Sequence, residues 1–184
     1  MKVRREEWNM KDEIRERAKK VKLLLMDVDG VMTDGKVIFS SNGAEAKEFD
    51  AKDGVGIKIA QRVGIKTGLI TGRVSEAVAR RGEELGMDEI HQGKKEKIKI
   101  YMEIIDRLSL KDEEVGFIGD DIIDIPIMKR VGFPAAVADA HPAILPYAIY
   151  TTSSSGGRGA IREVIDLIIK AQGKWNALMK RYIS

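Results

Sequence analysis

Short apolar runs recur along the chain, each closed by polar residues and followed by apolar residues at helical spacing. Leu23-Leu24-Leu25-Met26 ends at Asp27, Ile65 to Ile70 at Thr71-Gly72-Arg73, and Val115 to Ile118 at Gly119-Asp120-Asp121. Runs of this length bounded by turn residues read as buried strands. Between them, Val55, Ile59, Ala60 and Val63 give a helical stripe, and Ile98, Tyr101, Met102, Ile105 and Leu108 give another. The spacing also predicts helices over 11–20, from Ser75 (as N-cap) to Leu85, over 123–130, and through Ile161, Val164, Ile165 and Ile168. Further strands are expected up to Ile90-His91, over 133–138 and near 148–151, and a helical period runs on beyond Gly173 through Trp175, Leu178, Met179 and Tyr182.

Strands alternating with helices predict one α/β domain, Rossmann-like and doubly wound around a mainly parallel sheet. One segment departs from the alternation. Residues 36–49 hold two short β-prone arms around Asn42-Gly43, a strong hairpin signal. This inserted hairpin is too small to be a cap domain. Residues 1–10 are expected to be disordered, and 153–184 to form a mobile loop and a C-terminal helix.

Composition narrows the chemistry. A chain of 184 residues can bury a sizeable core as a single domain. It contains no cysteine, which removes disulfides, zinc thiolates and cysteine nucleophiles and agrees with a reducing cytoplasm. No apolar run approaches the roughly 20 residues of a membrane span, and the charged N-terminus is unlike a signal peptide. The net charge of +3 is concentrated in residues 1–22, so the remainder is close to neutral. Without a basic stripe interleaved with aromatics, nucleic acid is not an expected partner.

The candidate chemistry lies at the strand ends. Asp27 and Asp29 share a face if the extended geometry persists, and two carboxylates this close need a cation or a proton between them. Asp27, Thr71 and Asp120 each follow an apolar strand directly, and open α/β sheets bind ligands beyond the carboxyl ends of their strands. Taken singly, each has a bland explanation: Thr71-Gly72 as a turn, Asp120-Asp121 as a solvated loop or helix cap. His91 and His141 read as structural, since neither has a second histidine at metal-binding spacing.

In order, D-V-D-G-V-M-T-D-G, L-I-T-G-R, a lysine ahead of a helix and G-D-D-I-I-D resemble the motifs of the haloacid dehalogenase superfamily of phosphotransferases. F-D-A-K-D-G-V-G-I, A-V-A-D-A-H-P and G-G-R-G-A-I-R-E-V narrow the resemblance to its capless branch acting on 3-deoxy-D-manno-octulosonate 8-phosphate (KDO 8-phosphate). The match covers residues 20–171. It implies a Mg²⁺-dependent phosphatase with Asp27 as nucleophile and Asp29 as proton carrier. Asp27, Asp120 and the backbone carbonyl of Asp29 would hold the metal, supported by Asp121 and Asp124. Thr71 would bind the phosphoryl oxygens and Lys97, rather than Lys94 or Lys95, would neutralise them. Substrate contacts are expected from Asp53, Gly54, Gly72, Arg73 and Arg158, although Arg158 serves equally well as a helix-start residue. The resemblance further implies a cytoplasmic homotetramer whose neighbouring subunits help to close each site. Alternative readings are a nine-carbon acid sugar such as an N-acylneuraminate 9-phosphate as substrate, and a catalytically silent sugar-phosphate-binding scaffold. The intact Asp27/Asp29 pair argues against silence.

Overall fold

The computed structural model describes residues 12–41, 43 and 45–183. The helix α1 (Asp12–Lys20) leads into β1 (Leu23–Met26), followed by the hairpin strands β2 (Ile38–Phe39) and β3 (Glu45–Ala46). The alternating part comprises α2 (Ala51–Arg62), β4 (Lys66–Ile70), α3 (Glu76–Leu85), β5 (Glu89–His91), α4 (Lys97–Arg107) and β6 (Val115–Gly119). It continues through α5 (Ile125–Met128), β7 (Phe133–Ala136), β8 (Tyr150–Thr151), α6 (Ala160–Ala171) and α7 (Trp175–Ile183).

Six strands form one parallel sheet in the order β5-β4-β1-β6-β7-β8, with β2 and β3 paired separately and antiparallel. From β1 the chain builds outward to one edge through β4 and β5, then returns to build the other side through β6. The strand order therefore reverses at β1, which is where such sheets open a crevice.

Both faces of the sheet are covered, so β1 has to be apolar on both sides. Leu24 and Met26 pack with side chains of α2, α3 and α6, while Leu23 and Leu25 pack with Tyr101 and Ile104 of α4 and Ile127 of α5. Each fully buried leucine is worth about 1.5–3 kcal/mol of transfer free energy. Asp27 continues the phase of Leu23 and Leu25, which carries its side chain towards the α4 side.

Several sequence expectations are modified. The helix expected over 123–130 is a 3-10 turn (Ile122–Asp124) followed by the single turn of α5. Pro126 fits that first turn because it has no N–H to donate. Ser75 precedes α3 but makes no side-chain cap bond; its own N–H donates to Gln92 Oε1 at 2.8 Å. The helical period beyond Gly173 is a separate helix, α7, because Gly173 takes a left-handed φ of 69°. Residues 1–10 and Asn42 of the expected hairpin turn lie outside the described residues.

Residues 153–159, expected to form a mobile loop, make several hydrogen bonds to the rest of the fold. The N–H of Gly156 donates to Asp139 Oδ1 at 2.9 Å and that of Gly157 to the carbonyl of Val31 at 2.9 Å. Glu163 accepts from the N–H groups of Ser153 and Ser154, and Asp53 from that of Gly159. No described helix is long and apolar enough to cross a membrane.

Candidate active site

Three strands end in polar residues that line one cavity of about 280 Å³: Asp27 after β1, Thr71 after β4 and Asp120 after β6. Asp29, Gly72, Arg73, Asp121 and Ile123 complete most of its wall. Beneath it lies a buried charge cluster. The ammonium of Lys97, the first residue of α4, stands 2.7 Å from Asp27 Oδ2 and 2.8 Å from Asp124 Oδ1. Lys94 and Lys95 are exposed. Asp124 Oδ2 accepts the N–H of Asp120 at 3.0 Å, so both oxygens of this fully buried carboxylate are engaged. The N–H of Val28 donates to Asp27 Oδ1 at 2.7 Å.

One ammonium does not balance three carboxylates. Oxygens of Asp27, Asp120 and Asp124 lie within 4.8 Å of one another. Burial, reinforced by Asp124, pushes Asp27 up to about 6 despite the opposing pull of Lys97. Burial and the charges of Asp27 and Asp124 push Asp120 up to about 8. Burial works against the charge of Lys97, yet Asp27 and Asp124 overcome it and hold the ammonium above its ordinary value. Asp120 Oδ1 is buried and has no hydrogen-bond partner. A divalent cation fits this deficit, and oxygen-only donors suit Mg²⁺ rather than zinc.

Two glycines permit this packing. Gly30 has φ +88°, and a Cβ there would lie 2.1 Å from Asp120 Oδ2, so Asp120 rests directly against the loop after β1. On the opposite side, a Cβ on Gly156 would lie 1.7 Å from the carbonyl oxygen of Gly30.

Other expected site residues are placed elsewhere. Asp121 reaches the cavity wall but turns a carboxylate oxygen to the N–H of Ile122, 2.7 Å away. Asp53 is buried and faces α6, accepting from the N–H groups of Gly159 at 3.2 Å and Arg162 at 2.7 Å. Gly54 is buried in α2, where a Cβ would strike Arg81 of α3. Arg158 is exposed and lines a neighbouring cavity of about 150 Å³ with Asp34, Glu48, Phe49 and Asp50.

Sequence reasoning missed Lys47, just after β3. Its side chain is 1% exposed and pairs with Asp29 Oδ1 and, at 3.0 Å, with Glu45. Arg73 also meets Glu45, at 3.1 Å, and lies 3.6 Å from Asp29 Oδ2. In sequence, Glu45 and Lys47 belong to a hairpin arm whose alternation is not clean enough to say which face is buried. No local pattern shows that the arm folds back onto residue 29.

A family model described as haloacid dehalogenase-like hydrolase matches residues 46–132. The 3-deoxy-D-manno-octulosonate 8-phosphate phosphatase KdsC of Escherichia coli K12 is 44% identical over 158 residues, covering 86% of this chain and 84% of that protein. The crystal structure of the same-named phosphatase from Yersinia pestis superposes with a TM-score of 0.88 at 44% identity, covering 90% of this chain and 89% of that one. The structure of the Moraxella catarrhalis phosphatase, a complex with magnesium ion, phosphate ion and KDO, superposes with a TM-score of 0.92 at 36% identity. There the coverage is 94% of this chain and 99% of that one.

Proposed function

Since the chain belongs to the haloacid dehalogenase-like hydrolases, within the group of KDO 8-phosphate phosphatases, we propose that it hydrolyses KDO 8-phosphate to KDO and phosphate through an aspartyl-phosphate on Asp27. The observation that carries this reading is the convergence of Asp27, Thr71 and Asp120 at one cavity floored by Lys97. That is a constellation for handling a phosphoryl group.

Asp27 forms a bond to phosphorus as the ester P–O bond breaks, and the departing sugar oxygen takes the proton of the Asp29 carboxyl group. Water then attacks the phosphorus and yields a proton to Asp29. The acyl phosphate bond breaks, and Asp27 returns to a carboxylate as phosphate leaves. Thr71 hydrogen-bonds the phosphoryl oxygens, and Lys97 keeps Asp27 ionised and fixed. Asp27, Asp120 and the backbone carbonyl of Asp29 would hold Mg²⁺, with Asp124 and Asp121 bracing from outside. The bound cation would screen the repulsion between a carboxylate and a phosphate dianion. Gly72 and Arg73 line the wall the sugar would meet, and Arg158 its neighbouring cavity. Asp53 enters the reading as a support for the loop that carries Arg158, and Gly54 as the point where α2 meets Arg81 of α3.

The reading includes a cytoplasmic enzyme supplying lipopolysaccharide synthesis and working as a homotetramer. The hairpin supports the oligomer: Val37, Ile38 and Phe39 are 43%, 42% and 66% exposed, an apolar edge suited to burial against copies of itself. Ultracentrifugation should show a tetramer, and an active, selective monomer would remove this part.

The deciding experiment is phosphate release from KDO 8-phosphate, neuraminate 9-phosphates and hexose phosphates, compared by kcat/KM. KDO 8-phosphate should rank first, and Asp27→Asn should abolish turnover without unfolding the protein. A neuraminate 9-phosphate ranking first would reassign the substrate, and turnover by Asp27→Asn would remove the nucleophile.

A further inference from the structure

We propose that Lys47 is a positioning residue for Asp29, assigning one carboxylate oxygen to a fixed clamp and leaving the other for the proton. This rests on the reading that Asp29 carries the proton. A lysine as deeply buried as Lys47 is rare unless its charge is matched, and here two carboxylates match it: Asp29 Oδ1 and Glu45. Asp29 Oδ2 is buried and accepts no hydrogen bond. Arg73 Nε lies 3.6 Å from it, on a side chain that is 45% exposed. The two cations thus differ in kind. Lys47 is enclosed, whereas Arg73, although it also meets Glu45 at 3.1 Å, is half-exposed at the cavity wall, where an anionic substrate can compete for it.

The hairpin gives this division its purpose. The strand β2 is exposed and contributes nothing to either apolar cluster; Phe49 packs against one at the base of the hairpin, and the charges of Glu45 and Lys47 tie β3 to the site. Through Lys47 the hairpin sets the direction of a carboxylate that has to meet a leaving oxygen within hydrogen-bond reach.

The role separates from simple docking by its dependence on the leaving group. Single-turnover phosphorylation of the enzyme would be timed with a primary-alcohol sugar phosphate and with nitrophenyl phosphate, whose leaving group departs without a proton. Wild type, Lys47→Met, Lys47→Arg and Asp29→Asn would be compared with Mg²⁺ saturating. General acid catalysis contributes about 10²–10⁴-fold, so Lys47→Met should slow the sugar phosphate at least about tenfold and the nitrophenyl ester less than about threefold. Lys47→Arg should recover most of the loss. Equal slowing of both esters, or of neither, by Lys47→Met while Asp29→Asn discriminates between them would overturn the role of Lys47. An Asp29→Asn enzyme that does not discriminate would instead overturn the reading of Asp29, and this inference with it. If Lys47→Met does not fold, Lys47→Gln takes its place: a selective loss on the sugar phosphate supports positioning, and equal slowing of both esters, or of neither, overturns it.

Discussion

Lys97 Nζ stands 2.7 Å from Asp27 Oδ2, and the two side chains keep each other from water, at 2% and 6% exposure. Removing one partner of such a pair leaves the other charged and buried. Lys97→Met should therefore cost about 3–5 kcal/mol of stability in denaturant unfolding. It should also lower kcat about 10²–10³-fold, as loss of a charge stabiliser does. The double variant Asp27→Asn/Lys97→Met should regain part of the stability but no activity. A double variant no more stable than Lys97→Met alone would show that the pairing is not what the lysine contributes.

Asp120 offers a buried oxygen with no hydrogen-bond partner beside two further carboxylates. Chelation should abolish turnover and Mg²⁺ should restore it. Asp120→Asn should weaken Mg²⁺ binding at least about tenfold, the lower end of the loss for altered metal-site groups. Calorimetric titration of the metal measures this directly, and unchanged binding would take Asp120 out of the site.

Gly156 and Gly72 offer a matched comparison. A Cβ at Gly156 would collide with the carbonyl of Gly30, whereas one at Gly72 would meet nothing within 4 Å. Gly156→Ala forces the backbone apart and should cost more than about 2 kcal/mol, in the range of overpacked sites. Gly72→Ala should move the thermal midpoint little, whatever it does to substrate binding. Similar midpoints for the two variants would contradict the close approach.

Asp53 titrates where its effect on folding can be read. Burial raises it from an ordinary carboxylate value to about 6, against two backbone N–H donors that favour the anion. In the window from its unfolded value up to 6, the folded protein binds the proton that the unfolded chain has released. Its contribution to stability is thus fully present below the unfolded value and falls as pH rises through 6. Asp53→Asn should flatten that part of the stability–pH curve. Urea unfolding between pH 4 and 7 tests this, and an unchanged slope would assign the titration to another group.

The strand ends were legible because they depend on short stretches of sequence. An apolar run of four to six residues closed by Asp27, Thr71 or Asp120 carries its own placement, since parallel strands put their carboxyl ends on one edge. Asp53 reads as a substrate contact because K-D-G matches a loop near the sugar, and sequence does not show that the N-terminus of α6, over a hundred residues away, supplies its hydrogen bonds. Lys47 stayed hidden for the same reason: the alternation in its hairpin arm does not say which face is buried, and its burial is set by a carboxylate in another loop. Gly156 looked like part of a flexible Ser/Gly run, yet it is defined by a contact with residue 30. What sequence left out was not local chemistry but which distant backbone each polar or small residue would meet.

The fastening of residues 156–159 to the loop after β1 has a consequence during synthesis. Asp27 leaves the ribosome before the segment that braces its loop: Val31 receives the N–H of Gly157, and Asp53 that of Gly159, only after more than a hundred further residues have been made. Over that stretch of synthesis a growing chain holds its acids in an unbraced loop. A product truncated before residue 156 would therefore carry the four motifs without the contacts of Gly156 and Gly157 that brace them.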